Sequence, residues 1–352
     1  MEQVTQPQVR ELLTQYGPID IFWWDTPIGM TPERARPFYD LLALQPAVIT
    51  NNRLLDPEHP NPFSGDTETP EQFIPAQNFG AGDFEVCMTM NDTWGFKSQD
   101  HNWKSAKYML RQLVDTVSKG GNFLLNIGPD GFGRIPVDSV ERLNQIGQWM
   151  SVNGESIYGT AASPFAKLPW GRATMKGNIL YLHVFGWPRN GELTVPGLLS
   201  RVKSACLLAN GQHLETACDG KDVKIYVPPV APDALVNVLR LDLGEPPNVE
   251  KTIPVLSKKS ALRLPVWKAD ILNCSYGGQA SLDYDDVETK ICAWTDYRTR
   301  LSWKLQISEP GEVVSMPFVR MSMREFLYKF IQARCPLLSK HSLEVKKGRN
   351  RY

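Results

Sequence analysis

At 352 residues the chain exceeds one typical domain of roughly 100–200 residues, so two or three are expected. Hydrophobic residues make up 42% and charged residues 22%, and 38 basic side chains face 38 acidic ones. That balance excludes a global electrostatic basis for binding nucleic acid or an anionic membrane. No run approaches the ~20 apolar residues of a membrane-spanning helix. Cys87, Cys206, Cys218, Cys274, Cys292 and Cys335 show neither CxxC pairs nor zinc-ligand spacing, and the five histidines are scattered, so no metal centre is predicted. Cys206 and Cys218 flank a hairpin-like stretch; a disulfide is one reading there, isolated buried thiols the other. The opening Met1-Glu2-Gln3-Val4-Thr5 does not read as a signal peptide.

Val9, Leu12, Leu13 and Tyr16 recur at helical spacing, with Gly17 placed to stop the helix. Ile19-Asp20-Ile21-Phe22-Trp23-Trp24-Asp25 then reads as a buried strand ending on a carboxylate. Thr31-Pro32 supplies an N-cap and first-turn proline for a helix through Phe38, Leu41 and Leu42. Ala47-Val48-Ile49-Thr50 is a second strand, leading into Asn51-Asn52-Arg53. A loop rich in Pro and Gly runs from Leu54 to Gly82 and carries the acidic stretch Ser64-Gly65-Asp66-Thr67-Glu68-Thr69-Pro70-Glu71. A third strand spans Phe84 to Met90, and a helix follows through Met109, Leu110, Leu113, Val114 and Val117, stopped by Gly120. Phe123 to Ile127 is a fourth strand, and Asp138 with Glu141 fits a capping box for a last helix. Alternating strands and helices predict a parallel sheet with crossover helices.

From about Thr160 short β-type runs separated by Gly, Pro and Asn/Asp turns predict an antiparallel sandwich, with Leu239, Leu241 and Leu243 alternating against Arg240 and Asp242. A further β-type segment spans Ala269 to Val314, and from Pro317 the chain turns basic and irregular.

Barrel enzymes carry chemistry at the C-terminal ends of their strands. That rule selects Asp25, Asn51 to Arg53, Asn91 to Trp94 and Asn126: a carboxylate, amides, an arginine and a tryptophan, which is an inventory suited to sugar. Glycoside hydrolysis needs two carboxyls across the scissile bond. Asp25 is a candidate for one, a turn former after a strand being its alternative. Glu68 and Glu71 are candidates or solvated loop charges. Glu85, inside an apolar strand, is functional or an ion-pair partner, and Trp94 binds sugar or simply packs.

The stretches QVRELLTQYGPIDIFWWDTP, ITNNRL, GDTETPEQFIP, DFEVCMTMNDTWGF, GGNFLLNIGPDGFGRIP and LNQIGQWMSVNGESIYGT resemble, in order and spacing, the α-L-fucosidases of glycoside hydrolase family 29. The resemblance implies an α/β region followed by all-β: a partial (β/α)8-type barrel, an antiparallel β-sandwich and a partial second β module. The expected bounds are 1–159 for the barrel part, 160–245 for the sandwich, 246–316 for a carbohydrate-binding-like module and 317–352 for an irregular basic tail.

By the same resemblance the reaction is a retaining hydrolysis of terminal α-L-fucosyl linkages, with Asp25 as nucleophile and no cofactor or metal. The acid/base is expected at Glu68, with Glu85 as competitor, because a loop residue approaches the leaving oxygen from the aglycone side. Trp24, Arg53 and Trp94 would line the fucose subsite. The implied partner is a fucosylated oligosaccharide or glycoconjugate, and the full-length protein would be secreted, periplasmic or lysosomal. Only about eighteen residues precede Ile19, where the family carries a half-barrel. A sugar-binding protein or fragment without turnover is therefore the alternative expectation.

Overall fold

The structure, a computed structural model, describes residues 3–56, 59–60, 62–63, 65–76, 82–250 and shorter stretches between 255 and 346. The first helix, α1 (Thr5–Gln15), buries Val9 and Leu13 and ends at Gly17, whose φ of 84° suits glycine. Leu12 and Tyr16 of the expected stripe stay exposed. After β1 (Ile21–Phe22), Thr31 caps α2 (Pro32–Leu41) by accepting from the Arg34 amide at 3.4 Å, and Ala35, Phe38 and Leu41 bury against α1.

β2 (Ile49–Thr50) pairs in parallel with β1, Ile21 opposite Ile49. The loop expected from Leu54 to Gly82 contains a further strand, β3 (Thr67–Glu68), joined to β2 by a parallel bridge between Asn51 and Thr67. β3 pairs with β4 (Asp83–Thr89), and β4 pairs with β5 (Asn122–Asn126), both in parallel. Five strands, not four, thus succeed one another in chain order. Among the described residues they form no closed barrel.

Between β4 and β5, α3 (Ala106–Ser118) starts on a Ser105 cap and buries Met109, Leu110 and Val114, as its stripe requires. The last helix, α4 (Val137–Asn153), starts one residue earlier than expected. Asp138 is already inside it and pairs with Arg142 at 3.4 Å, so no capping box forms.

Seven strands follow: β6 (Gly171–Lys176), β7 (Ile179–Val184), β8 (Glu192–Val195), β9 (Ser204–Leu207), β10 (Thr216–Asp219), β11 (Asp222–Tyr226) and β12 (Asn237–Asp242). They build one antiparallel sheet in the order β6-β7-β12-β9 and another in the order β10-β11-β8. Leu180, Leu182, Leu239 and Leu241 of the first meet Val195 and Ile225 of the second in a closed core. The outer face of the first sheet packs Tyr181 and Val238 against Leu110, Val114 and Trp149 of α3 and α4, and the Trp149 indole donates to the Val236 carbonyl at 2.7 Å. Cys206 and Cys218 are free thiols.

Beyond the sandwich, β13 (Val255–Leu256) and β14 (Asp270–Leu272) flank β17 (Arg300–Ile307), and β15 (Ser281–Tyr284) with β16 (Thr289–Cys292) forms a hairpin. Much of the expected tail, 317–352, lies outside the described residues; within it Lys340–Lys346 pairs antiparallel with β17. Asp115 of α3 accepts from Arg172 of β6 at 2.5 Å and from Lys119 at 3.1 Å, while Arg172 also donates to the Tyr284 hydroxyl and Lys167 meets Asp270 at 3.1 Å. Burial opposes ionisation of Asp115, yet the Arg172 and Lys119 charges hold its carboxyl well below the usual range.

His183 of β7 is fully buried. Its Nε2 lies 3.2 Å from the Thr174 hydroxyl, and burial pushes its pKa down to about 3. The folded state keeps the ring neutral, whereas the unfolded chain takes a proton below about 6.5. This contribution to stability is complete above that value and is lost as pH falls toward 3. The unfolding free energy from urea titrations should therefore fall less steeply between pH 6.5 and 4 in His183→Gln than in the parent, by up to roughly 1.4 kcal/mol per pH unit. Equal slopes would contradict the assignment.

Candidate active site

Asp25 sits just beyond β1, and the neighbouring strand aims it. Asn51, fully buried at the end of β2, accepts from the Trp24 amide at 3.0 Å and donates to the Trp24 carbonyl at 2.9 Å, extending a two-residue ladder with a side chain. The next connection is drawn in by Asp66, which accepts from the Thr50 amide at 2.8 Å. Gly65 makes this possible: at φ 70° a Cβ there would lie 2.3 Å from the Asn51 carbonyl oxygen.

Arg53 organises the centre. Its Nε donates to Thr69 Oγ1 at 2.8 Å and its Nη2 to the Thr69 carbonyl at 3.0 Å, so Thr69, directly after β3, fixes the guanidinium plane. From that plane Nη1 reaches Asp25 Oδ1 at 3.3 Å and Glu71 Oε2 at 2.8 Å, while the Trp23 ring lies 5.4 Å from its centre. The other oxygen of Glu71 accepts from the Trp94 indole at 3.1 Å. Trp94 is held in turn by Asn126 of β5, which donates to its carbonyl at 2.6 Å. Tips of β1, β2, β4 and β5, and the segment after β3, thus contribute to one constellation.

Burial works against the charge of Arg53, but the Cys87, Glu71 and Asp25 groups around it raise its pKa on balance. Cys87 lies under the same guanidinium, 3.3 Å from Nη2, and burial pushes its thiol up to about 11. It is therefore a neutral wall of the site. Asp25 remains 64% exposed at its side chain and Glu71 only 15%, so one carboxylate is open to a ligand and the other is sheltered.

Two backbone outliers coincide with the two carboxylates. Among the described residues Thr26 (φ 53°) and Gln72 (φ 61°) alone of the non-glycine residues take positive φ, and each directly follows one of them. Such conformations cost of order 1–3 kcal/mol and persist where surrounding contacts over-determine them.

The structure places the expected residues as follows. Asp25, Arg53 and Trp94 come together as the strand-end rule predicts. Glu68 ends β3 with its carboxylate on the Asn52 amide, and Glu71, three residues on, is the acid that shares Arg53 with Asp25. Glu85 lies near the start of β4 opposite Asn122, half-buried, and desolvation raises its pKa; it has no hydrogen bond or ion pair among the described residues. Trp24 packs away from the site, 4.7 Å from Phe22 and 6.2 Å from Phe38, and Trp23 takes the place beside Arg53. Trp23 and Asp25 are two residues apart and both contact Arg53. Among the described residues no group of three His, Cys, Asp or Glu side chains is arranged to hold a metal. No helix among them is long and apolar enough to cross a membrane.

Residues 1–155 match the family model for α-L-fucosidase. The plasma α-L-fucosidase of Rattus norvegicus is 31% identical over 208 residues, which cover 54% of this chain and 44% of that protein. Among solved structures, α-L-fucosidase isoenzyme 1 from Paenibacillus thiaminolyticus aligns with a TM-score of 0.62 at 37% identity, covering 68% of this chain and 61% of its own. A family 29 α-L-fucosidase from Bacteroides thetaiotaomicron, solved as a trapped covalent intermediate with 2-fluoro-fucosyl fluoride, aligns with a TM-score of 0.60 at 25% identity, covering 67% and 59%. The chain spans about half the length of the curated relatives it matches. Motifs, site and both kinds of likeness converge over the aligned residues: along residues 1–155 the chain matches the α-L-fucosidase family, and its structural relatives include α-L-fucosidases of glycoside hydrolase family 29.

Proposed function

We propose that this chain carries the catalytic carboxylates of a retaining α-L-fucosidase, with Asp25 as nucleophile and Glu71 as acid/base. One observation carries the reading: a single nitrogen of Arg53 touches both groups. Their facing oxygens are therefore roughly 6 Å apart at most, short of the ~6.5–9.5 Å of inverting pairs. The five parallel strands pairing in chain order, with the site at their C-terminal ends, are read as part of a (β/α)8-type barrel.

In the first step Asp25 Oδ attacks the anomeric carbon of fucose while Glu71 gives its proton to the glycosidic oxygen, releasing the aglycone as an alcohol. In the second, Glu71 takes a proton from water, whose oxygen displaces Asp25 and yields fucose with its original configuration. Arg53 holds the Asp25 carboxylate in place for attack, and Trp94 pins the Glu71 carboxyl. Proton NMR during hydrolysis of p-nitrophenyl α-L-fucoside should show the α-anomer of fucose first. Initial formation of the β-anomer would exclude a retaining mechanism. Fucose binding without p-nitrophenol release would favour the sugar-binding alternative.

A further inference from the structure

A cavity of about 400 Å³ lies where α3 and β6 meet the strands beyond the sandwich. Its walls are the segment 72–76, the α3 face that carries Arg111 and Asp115, and strands β14 to β16 with Ile271 and Tyr284. Asp25, Arg53 and Glu71 are not among its lining residues, so it is separate from the candidate active site. Its size falls within the ~300–1,000 Å³ of small-molecule pockets.

The charge of this cavity is one-sided. Lys107, Arg111, Lys119, Lys167 and Arg172 line it, and Asp115 is the one lining carboxylate among the described residues. Asp115 already bridges Arg172 and Lys119, while Asp270 of β14 meets Lys167. Two carboxylates thus answer three cations in this inner group, whose lysines and arginine are only 13–16% exposed at the side chain. Burial pushes Lys119 down to about 8, and the Lys167 and Arg172 charges act in the same direction against Asp115. Burial lowers Lys167 too, with Arg172 adding to it. Like charges crowd this wall, and an anion seated among them relieves their repulsion.

The donors are also fixed in place. Arg172 donates to Asp115 from Nε, and from Nη1 to the Gly171 carbonyl at 2.9 Å and to the Tyr284 hydroxyl. Arg111 and Arg172 both lie over the Phe185 ring, 5.0 and 5.9 Å from its centre. Planar forks held this way match the oxygens of a phosphoryl or sulfuryl group. The buried Tyr284 hydroxyl accepts from Arg172 and keeps its own proton to donate. Lys119 gives one N–H to Asp115 and one to the Pro75 carbonyl at 2.8 Å, which leaves a third for a ligand. Phe73, Ile74 and Leu282 add an apolar wall, so there is room for more than the anion alone.

We infer that this cavity binds a tetrahedral oxyanion, phosphoryl or sulfuryl, through Arg172, Lys119 and Lys167. The inference is independent of the catalytic assignment. A free ion and a sugar ester share this chemistry, and the test tells them apart. The full chain is titrated calorimetrically with inorganic phosphate, inorganic sulfate, glucose 6-phosphate and galactose 6-sulfate at constant ionic strength in chloride, with glucose as the uncharged control. At least one anion should bind with a Kd below about 10 mM, and glucose should not. Lys119→Met should weaken that binding about fivefold or more. Lys107→Gln, a change at an exposed position of α3, should weaken it about threefold. Should Lys119→Met not fold, Lys107→Gln decides alone. Esters that bind more tightly than the inorganic ions support the site and assign a sugar-borne group. Inorganic ions that bind as tightly or more so support it and assign a free ion. The site is overturned if no anion binds the parent, if glucose binds as well as its 6-phosphate, or if neither variant weakens binding by twofold.

Discussion

Asp25→Gly is expected to lower turnover of p-nitrophenyl α-L-fucoside by about 10⁴-fold or more, and sodium azide should restore a measurable part of it with release of β-fucosyl azide. The reasoning is geometric. Asp25 is the exposed member of the carboxylate pair, presented by a backbone clamp from Asn51 and charge-matched by Arg53. Removing its carboxylate leaves a gap that a small anion fills, and one displacement in place of two inverts the configuration of the product. The clamp and the Arg53–Glu71 contact do not involve the Asp25 side chain, so the fold should survive the change. Activity within tenfold of the parent would refute the role of Asp25. Rescue giving the α-azide would refute its geometry.

The second expectation separates the acidic residues that a reading of the sequence leaves in competition. Glu71→Gln should cut kcat/KM for a fucosyl disaccharide by roughly 10²–10⁴-fold, the usual worth of a general acid. It should cost far less with an activated aryl leaving group, which departs without protonation. Glu68→Gln should change either rate by less than about threefold, because Glu68 bonds Asn52 and does not share Arg53 with Asp25. Glu85→Gln should behave like Glu68→Gln, since Glu85 lies at the start of β4 whereas the site is built at the strand's other end. A large, leaving-group-dependent loss in Glu68→Gln, with little in Glu71→Gln, would reverse the assignment of the acid.

These contrasts show what a chain of residues discloses by itself. Asp25 was legible because an apolar run ends on it, and Trp94 because it follows the tip of another strand. The sandwich was legible because Leu239, Leu241 and Leu243 alternate with polar neighbours, and the structure buries those three leucines. β3 was hidden for a physical reason. Two residues carry no periodicity, and Thr67–Glu68 becomes a strand only through partners at Asn51 and at Asp83–Phe84, sixteen residues away on either side. Once that strand exists, Glu71 is carried past its end toward Arg53 and Trp94, a consequence of long-range pairing that local sequence does not encode. Trp23 is a different case: the resemblance implied Trp24 for the subsite, whereas Trp23, two residues before Asp25, is the one beside Arg53.

The site also accounts for its own strain. Thr26 and Gln72 take positive φ directly after Asp25 and Glu71, and Arg53 holds both carboxylates in place. The contacts of one guanidinium oppose the relaxation of both turns, so rigidity of the pair is supplied by Thr69, directly after β3, and not by the turns themselves.

The central claim, that Asp25 is the residue which bonds to fucose, is tested most directly by trapping. The protein is incubated with 2-fluoro-fucosyl fluoride, the reagent that trapped the intermediate in the structural relative, then digested and mapped by mass spectrometry. The fluorofucosyl label should sit on the peptide containing Asp25 and be absent from Asp25→Gly. A label on Glu68, Glu71 or Glu85, or a protein left unmodified at saturating reagent, would contradict it.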